Sequence, residues 1–319
     1  MGELMLPDLD SLTAALASVF NHNGSARGGL TAVRREPTPY VTTFPCEIVT
    51  CRFADGTRLR LFCKFAARDG KCSHGQRGGL SYEAEVYRQV LKPSGASAPA
   101  FYGCHADEKT GATWLVLEYL GKSLRVGKMG LKAVKKAARW IGEFHAANEA
   151  RAASPYLSFL TAYDAAYYRG WPRRASRLAT QMGLRLPWLR TLCKRLERET
   201  AALAALPQTV IHGEYYPHNV MFQAGTVRPV DWETAAIAPG EIDLATLGEG
   251  WSPEVSRQFD LEYQQARWPA GPPADFQRNV DLARVYMQLR WLGDDDPKWT
   301  GNMTRWRRLY ATSKRLQLI

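Results

Sequence analysis

Apolar and polar positions alternate in short β-rich runs over the first third of the chain and recur at helical spacing over much of the rest. Residues 46 to 65, CEIVTCRFADGTRLRLFCKF, hold two such runs around Ala54-Asp55-Gly56, the pattern of a β-hairpin. Lys64 closes the second run between Cys63 and Phe65. The following AARDGKCSHGQRGGL is rich in glycine and charge and reads as a loop, after which SYEAEVYRQVL has helical period and places Glu83 in a first turn. TWLVLEYL, residues 113 to 120, reads as a buried strand running into a connection. Gly121, Gly127 and Gly130 then loosen the chain, and helices are expected at about 131 to 149, at about 186 to 205 and over the C-terminal stretch. Strands first and helices afterwards predict an α+β protein: a small β-rich N-lobe over residues 1 to 120 and a larger, mainly helical C-lobe over residues 121 to 319.

Composition narrows the class without changing this layout. A chain of 319 residues with 45% hydrophobic content can bury a large core. No apolar run reaches the ~20 residues of a membrane helix. MGELMLPDLDSLTAALASVF carries acidic residues where a signal peptide would be basic, so it reads as a capped amphipathic helix. The six cysteines form no C-x-x-C pair and no metal-ligand spacing, and a reducing cytoplasm is the expected location.

Charge adds a directional argument. The net charge is +11, with 13 basic against 12 acidic residues before position 121 and 29 against 19 after it. The densest run, GKSLRVGKMGLKAVKKAAR, contains no acidic residue, and Lys132, Lys135, Lys136 and Arg139 share one stripe at helical spacing. A solvated helix face accounts for such a run, with an anion site as the alternative. Nucleic-acid binding is disfavoured, since no zinc finger, helix-turn-helix or aromatic-rich strand accompanies the charge.

Candidate chemistry gathers late in the sequence. HGEYYPHN, residues 212 to 219, places His212, Glu214 and Asn219 ahead of Asp231 in PVDWE, residues 229 to 233. Phosphoryl transfer uses these residue types: a carboxylate at the acceptor hydroxyl and two further oxygen ligands for magnesium. Lys64 by itself is an ordinary strand-end lysine and Glu83 an ordinary helix glutamate. Together, a strand lysine followed about twenty residues later by a helix glutamate match the ion pair that holds nucleotide phosphates in protein kinases.

Taken together, ADGTRLRLFCK, LVLEYL, IGEFHA, HGEYYPHNV, VDWE and PGEIDLA resemble the aminoglycoside phosphotransferase family, within the bilobal protein-kinase-like fold. The resemblance covers nearly the whole chain, and its last three segments are the most specific. It implies ATP or GTP as co-substrate, Mg2+ as cofactor and a hydroxyl acceptor. It implies Glu214 at the acceptor, helped by His212 and Asn219, with Asn219 and Asp231 on the metal. Nucleotide contacts fall to Lys64, Glu83, Thr42, Thr43, Glu118 and Leu120. Asp243 is expected to anchor the loop, His212 to shape it through hydrogen bonds, and His145 to pack in the helical core.

Two departures from the family pattern bear on mechanism. Glu214 stands where the family usually carries aspartate, and its extra methylene reaches about 1.5 Å further, enough to matter where ~1 Å can cost on the order of a hundredfold in rate. An active enzyme with a reshaped acceptor site is the expectation; a nucleotide-binding pseudokinase is the alternative. The second departure is PTPYVTTFP, residues 37 to 45, glycine-free where glycines would admit phosphate to the backbone, leaving the hydroxyls of Thr38, Thr42 and Thr43 as donors or an ordinary proline-stiffened turn. The basic C-lobe argues against a polycationic acceptor and for a neutral or anionic one: a sugar or other natural product, or a serine or threonine of an acidic peptide. TAYDAAYYRGW, residues 161 to 171, and RWLGDDDPKW, residues 290 to 299, are candidates for the acceptor wall, with core packing as the competing reading.

Overall fold

The alternation of the first third becomes an antiparallel sheet. In the computed structural model, which describes residues 6–22, 29–38, 44–66, 76–107, 110–294 and 301–319, the strands are β1 (Leu30–Pro37), β2 (Cys46–Phe53), β3 (Arg58–Ala66), β4 (Phe101–Ala106) and β5 (Thr113–Glu118). Their order is β1-β2-β3-β5-β4, every neighbour pair antiparallel. The expected hairpin pairs β2 with β3 from Cys46 opposite Lys64 to Arg52 opposite Arg58. Helix α1 (Leu9–His22) packs Leu12, Leu16, Val19 and Phe20 with Val49, Cys51, Phe53, Leu61, Cys63 and Phe65 into one core. Period two puts Leu61, Cys63 and Phe65 on that face, so Lys64 points from the other.

Helix α2 (Gly79–Glu85) begins two residues earlier than the SYEAEVYRQVL pattern suggests. Gly78 N–H is held by the Glu233 carbonyl at 2.9 Å, and Gly79 at φ 81° turns the chain into the helix. Glu83 therefore sits in the second turn and not the first. The helix continues into a π-helical stretch, Val86–Leu91.

The chain divides into two compact units, Met1–Ser123 with Gln223–Thr234, and Leu124–Phe222 with Ala235–Ile319. The first boundary lies three residues past the expected position 120, and a short later segment containing Asp231 counts with the first unit.

The second unit is mainly helical: α3 (Leu131–Glu149), α4 (Ala165–Gln181), α5 (Pro187–Ala205), α6 (Glu241–Leu247), α7 (Pro253–Arg267), α8 (Phe276–Leu292) and α9 (Met303–Arg315). The expected helices near 131–149 and 186–205 correspond to α3 and α5. Helix α4 follows from a local signal, the Asp164 carboxylate capping Tyr167 N–H at 2.7 Å. Its segment TAYDAAYYRGW supplies core: Tyr163, Tyr168 and Trp171 are buried with Tyr286, Leu289 and Leu292 of α8. A three-stranded sheet places β6 (Thr161–Ala162) and β7 (Gln208–Ile211) on either side of β8 (Ala236–Pro239). β7 leads directly into His212, and β8 into α6 with Asp243. Helices α3 and α7 approach closely at Gly142, where an added Cβ would lie 2.7 Å from the Tyr263 carbonyl. Among the described residues no helix is long and apolar enough to cross a membrane.

Candidate functional site

In the first unit the site is built around Lys64. Its ammonium donates to both Glu83 carboxylate oxygens, at 2.9 and 2.7 Å, and to Asp231 Oδ1 at 2.7 Å. Glu83 is fully buried and also accepts from Trp232 N–H at 3.2 Å, so the Asp231-Trp232 segment is tied to α2 through one carboxylate. Burial opposes the Lys64 charge, but Asp231 and Glu83 outweigh it and hold the ammonium well above its ordinary value. Asp231 keeps 31% of its side chain exposed and adopts φ 71°, a left-handed conformation that aspartate tolerates better than most residues. Beside it, burial and the Asp231 charge push the Glu233 carboxyl up to about 8, with Arg77 3.7 Å away in partial compensation.

Glu118 and Leu120, expected at the nucleotide, have partners within the protein. Arg228 grips both Glu118 carboxylate oxygens at 3.0 and 2.8 Å, and Ala100 N–H adds a third bond at 3.0 Å. Leu120 is buried, and its carbonyl accepts from Gln223 Nε2 at 2.7 Å. A half-buried carboxylate with a bidentate arginine to hand pairs with it in preference to waiting for a ligand. Thr42 and Thr43 lie outside the described residues, as does the 295–299 part of RWLGDDDPKW.

In the second unit the loop 212–219 is shaped by a buried network. Asp243 accepts the backbone amides of His212 at 2.6 Å and Gly213 at 2.8 Å, and its Oδ2 meets His145 Nε2 at 3.1 Å. His145 Nδ1 lies 2.9 Å from Tyr263 Oη, which Arg267 Nη1 reaches at 2.6 Å. One proton arrangement satisfies this chain: Arg267 donates to Tyr263, Tyr263 to His145 Nδ1, and a neutral His145 donates from Nε2 to the Asp243 carboxylate. Burial, only partly offset by Asp243, lowers the His145 pKa and keeps it neutral. His212 is fully buried, and its Nδ1 accepts Glu214 N–H at 3.3 Å. Both histidines thus shape the protein interior.

The same loop carries Glu214 and Asn219. Asn219 donates from Nδ2 to the Glu214 carbonyl at 3.1 Å, so its Oδ1 is the atom left for a cation. Glu214 Oε1 accepts from Arg290 Nη2 at 2.5 Å, and Arg290 Nη1 donates to the Gly213 carbonyl at 2.7 Å. Sequence reasoning missed Arg290. Its signal was present, an arginine inside the apolar run VYMQLRWL, since a charge in such a run needs a partner.

Taken separately, the Asp231 carboxylate in the first unit and the Asn219 amide oxygen in the second are each donors of the kind magnesium takes. These are hard oxygen ligands, and an ion held largely by phosphates and water needs only one or two of them from protein. Among the described residues no cluster of three or more His, Cys, Asp or Glu forms a metal cage.

Residues 50–276 match the model of the phosphotransferase enzyme family. No curated protein matches the chain in sequence. Among solved structures, a putative fructosamine-3-kinase from Thermobifida fusca is similar, at 18% identity and TM-score 0.63, over 98% of this chain and 100% of that one. A choline/ethanolamine kinase family protein from Mesorhizobium loti gives 17% identity and TM-score 0.60 over 97% and 96% of the two chains. The GDP complex of aminoglycoside 2'-phosphotransferase-IIIa gives 14% and 0.64 over 97% and 99%. At these identities the likeness is one of fold.

Proposed function

The chain belongs to the phosphotransferase enzyme family, and from that premise we propose that it moves the γ-phosphoryl group of ATP or GTP onto a hydroxyl of a neutral or anionic small molecule. The observation that carries the reading is the Lys64 ammonium, buried between Glu83 and the part-exposed Asp231. A lysine fixed this way offers its charge to nucleotide phosphates without paying side-chain entropy at the moment of binding. The first unit is then the nucleotide-binding lobe and the second the acceptor-binding lobe.

In the transfer, the acceptor oxygen bonds to the γ-phosphorus as the bond to the β-phosphate oxygen breaks, and a nucleoside diphosphate leaves. Glu214 orients the acceptor hydroxyl and takes its proton late in the step. Lys64 meets phosphate charge, Glu83 holds Lys64, and Asp243 with His212 fixes the backbone that carries Glu214. Asp231 and Asn219 would hold magnesium, which supplies neutralisation of phosphate charge. A neutral or anionic acceptor is favoured by the ten-charge basic surplus after residue 120 and by the buried Arg290 cation touching Glu214.

The test is magnesium-dependent consumption of ATP and of GTP across a panel of sugars, other hydroxyl compounds and acidic serine or threonine peptides, with Asp231→Ala in parallel. Turnover with one acceptor class, lost in Asp231→Ala, is the expected result. Undiminished turnover in Asp231→Ala would overturn the metal assignment, and nucleotide binding with no transfer to anything tried would indicate a pseudokinase.

A further inference from the structure

Arg290 is a charged side chain with 3% exposure in the apolar run of α8, and burying a guanidinium without function or partners is costly. Both of its recorded hydrogen bonds go to two consecutive residues of the loop, the Gly213 carbonyl and the Glu214 carboxylate. The next residue of the helix repeats the pattern. Trp291 Nε1 donates to Tyr216 Oη, and the two rings stack with centroids 5.6 Å apart. Tyr216 in turn stacks on His218 at 5.0 Å. One turn of α8 therefore grips the loop at residues 213, 214 and 216.

This grip answers the difficulty raised by the longer carboxylate. Glutamate has one more rotatable bond than aspartate, so its carboxylate samples more positions unless something holds it. A guanidinium is suited to the task, because its planar fork fixes direction as well as distance, and here one branch fixes the backbone from which Glu214 hangs while another fixes its carboxylate.

We infer that Arg290 is the positioning residue for Glu214: it anchors Oε1 so that the carboxylate presents itself to the acceptor hydroxyl at the distance transfer requires. The inference rests on the phosphotransferase reading of Glu214. In this role Arg290 acts through the glutamate.

The test is a cycle of single-turnover transfer rates for wild type, Arg290→Met, Glu214→Gln and the double variant, with nucleotide titration and thermal unfolding on each. Arg290→Met should slow transfer by about thirty- to a hundredfold with nucleotide affinity unchanged, the cost expected of a carboxylate displaced by ~1 Å. In the Glu214→Gln background the same substitution should cost less than about threefold, since the group it positions no longer accepts a proton. Arg290→Lys, which keeps a donor and the charge, should stand about tenfold above Arg290→Gln, and this pair decides the matter if the methionine variant does not fold. Transfer by Arg290→Met at the wild-type rate, an equal cost in both Glu214 backgrounds, or equal rates for the lysine and glutamine variants would overturn the inference and leave the phosphotransferase reading standing. Wild-type protein without transfer would remove both.

Discussion

The two charged centres use buried charge in opposite ways. Around Lys64, one cation faces two carboxylates, and the group at the edge, Asp231, stays part-exposed. Around Asp243, His145, Tyr263 and Arg267 are all buried, and the Asp243 carboxylate is spent on His145 and on holding the His212-Gly213 backbone. An excess of carboxylate beside solvent is a place for a ligand or a metal ion; a closed network is a scaffold. Glu214, held at Oε1 by Arg290, keeps 15% of its side chain exposed and stands between the two.

The largest effect that contrast predicts falls on Glu214. Glu214→Gln should keep the fold and the nucleotide affinity while lowering single-turnover transfer by about a hundred- to ten-thousandfold, the range for loss of a general base. Glu214→Asp should also lose activity, because a loop clamped by Arg290 for the longer side chain leaves the shorter one short of the hydroxyl. Wild-type transfer by Glu214→Gln would remove Glu214 from the chemistry.

Lys64→Ala comes next. Transfer should fall by about a hundredfold and nucleotide binding should weaken with it, since the phosphates lose their preorganised cation. A variant that binds nucleotide normally would place the ligand elsewhere and dissolve the contrast.

Asp243→Asn tests the scaffold. Exchanging a charge-assisted acceptor of two amides for a neutral one should cost about 2–3 kcal/mol in denaturant unfolding, with nucleotide affinity in the folded fraction little changed. Unaltered stability would mean that the network is incidental to the loop.

The smallest effect is a difference in pH slope. The Glu233 carboxyl is raised from 4.5 to about 8, so the folded state keeps a proton that the unfolded chain gives up, and its stabilisation, full below pH 4.5, is lost as pH rises towards 8. His145 is lowered from 6.5, so the unfolded chain takes up a proton that the folded state refuses, and stability is lost as pH falls below 6.5. Glu233→Gln should flatten the neutral-side slope of unfolding free energy and leave the acid side unchanged. Identical curves for variant and wild type between pH 5 and 8 would show that Glu233 carries no such proton.

The sequence by itself determined the alternation of β2 and β3, their turn at 54–56, the helices near 131 and 187, and the spacing of His212, Glu214, Asn219 and Asp231, because these depend on residues close in the chain. It also placed Lys64 and Glu83 in one pair, through the resemblance of their spacing to a known ion pair. It left open what depends on distant partners. That Arg228, 110 residues away, holds Glu118 was not legible locally, and whether the aromatics of 161–171 form core or an acceptor wall was decided for core by their packing with α8. Only the tertiary structure decided that Arg290 of α8 meets Glu214, 76 residues earlier, and that Asp243 joins His145 to the loop. Local period sets which way a side chain points, but a buried charge is stable only beside its counter-charge, and that partner is chosen by the packing of whole elements.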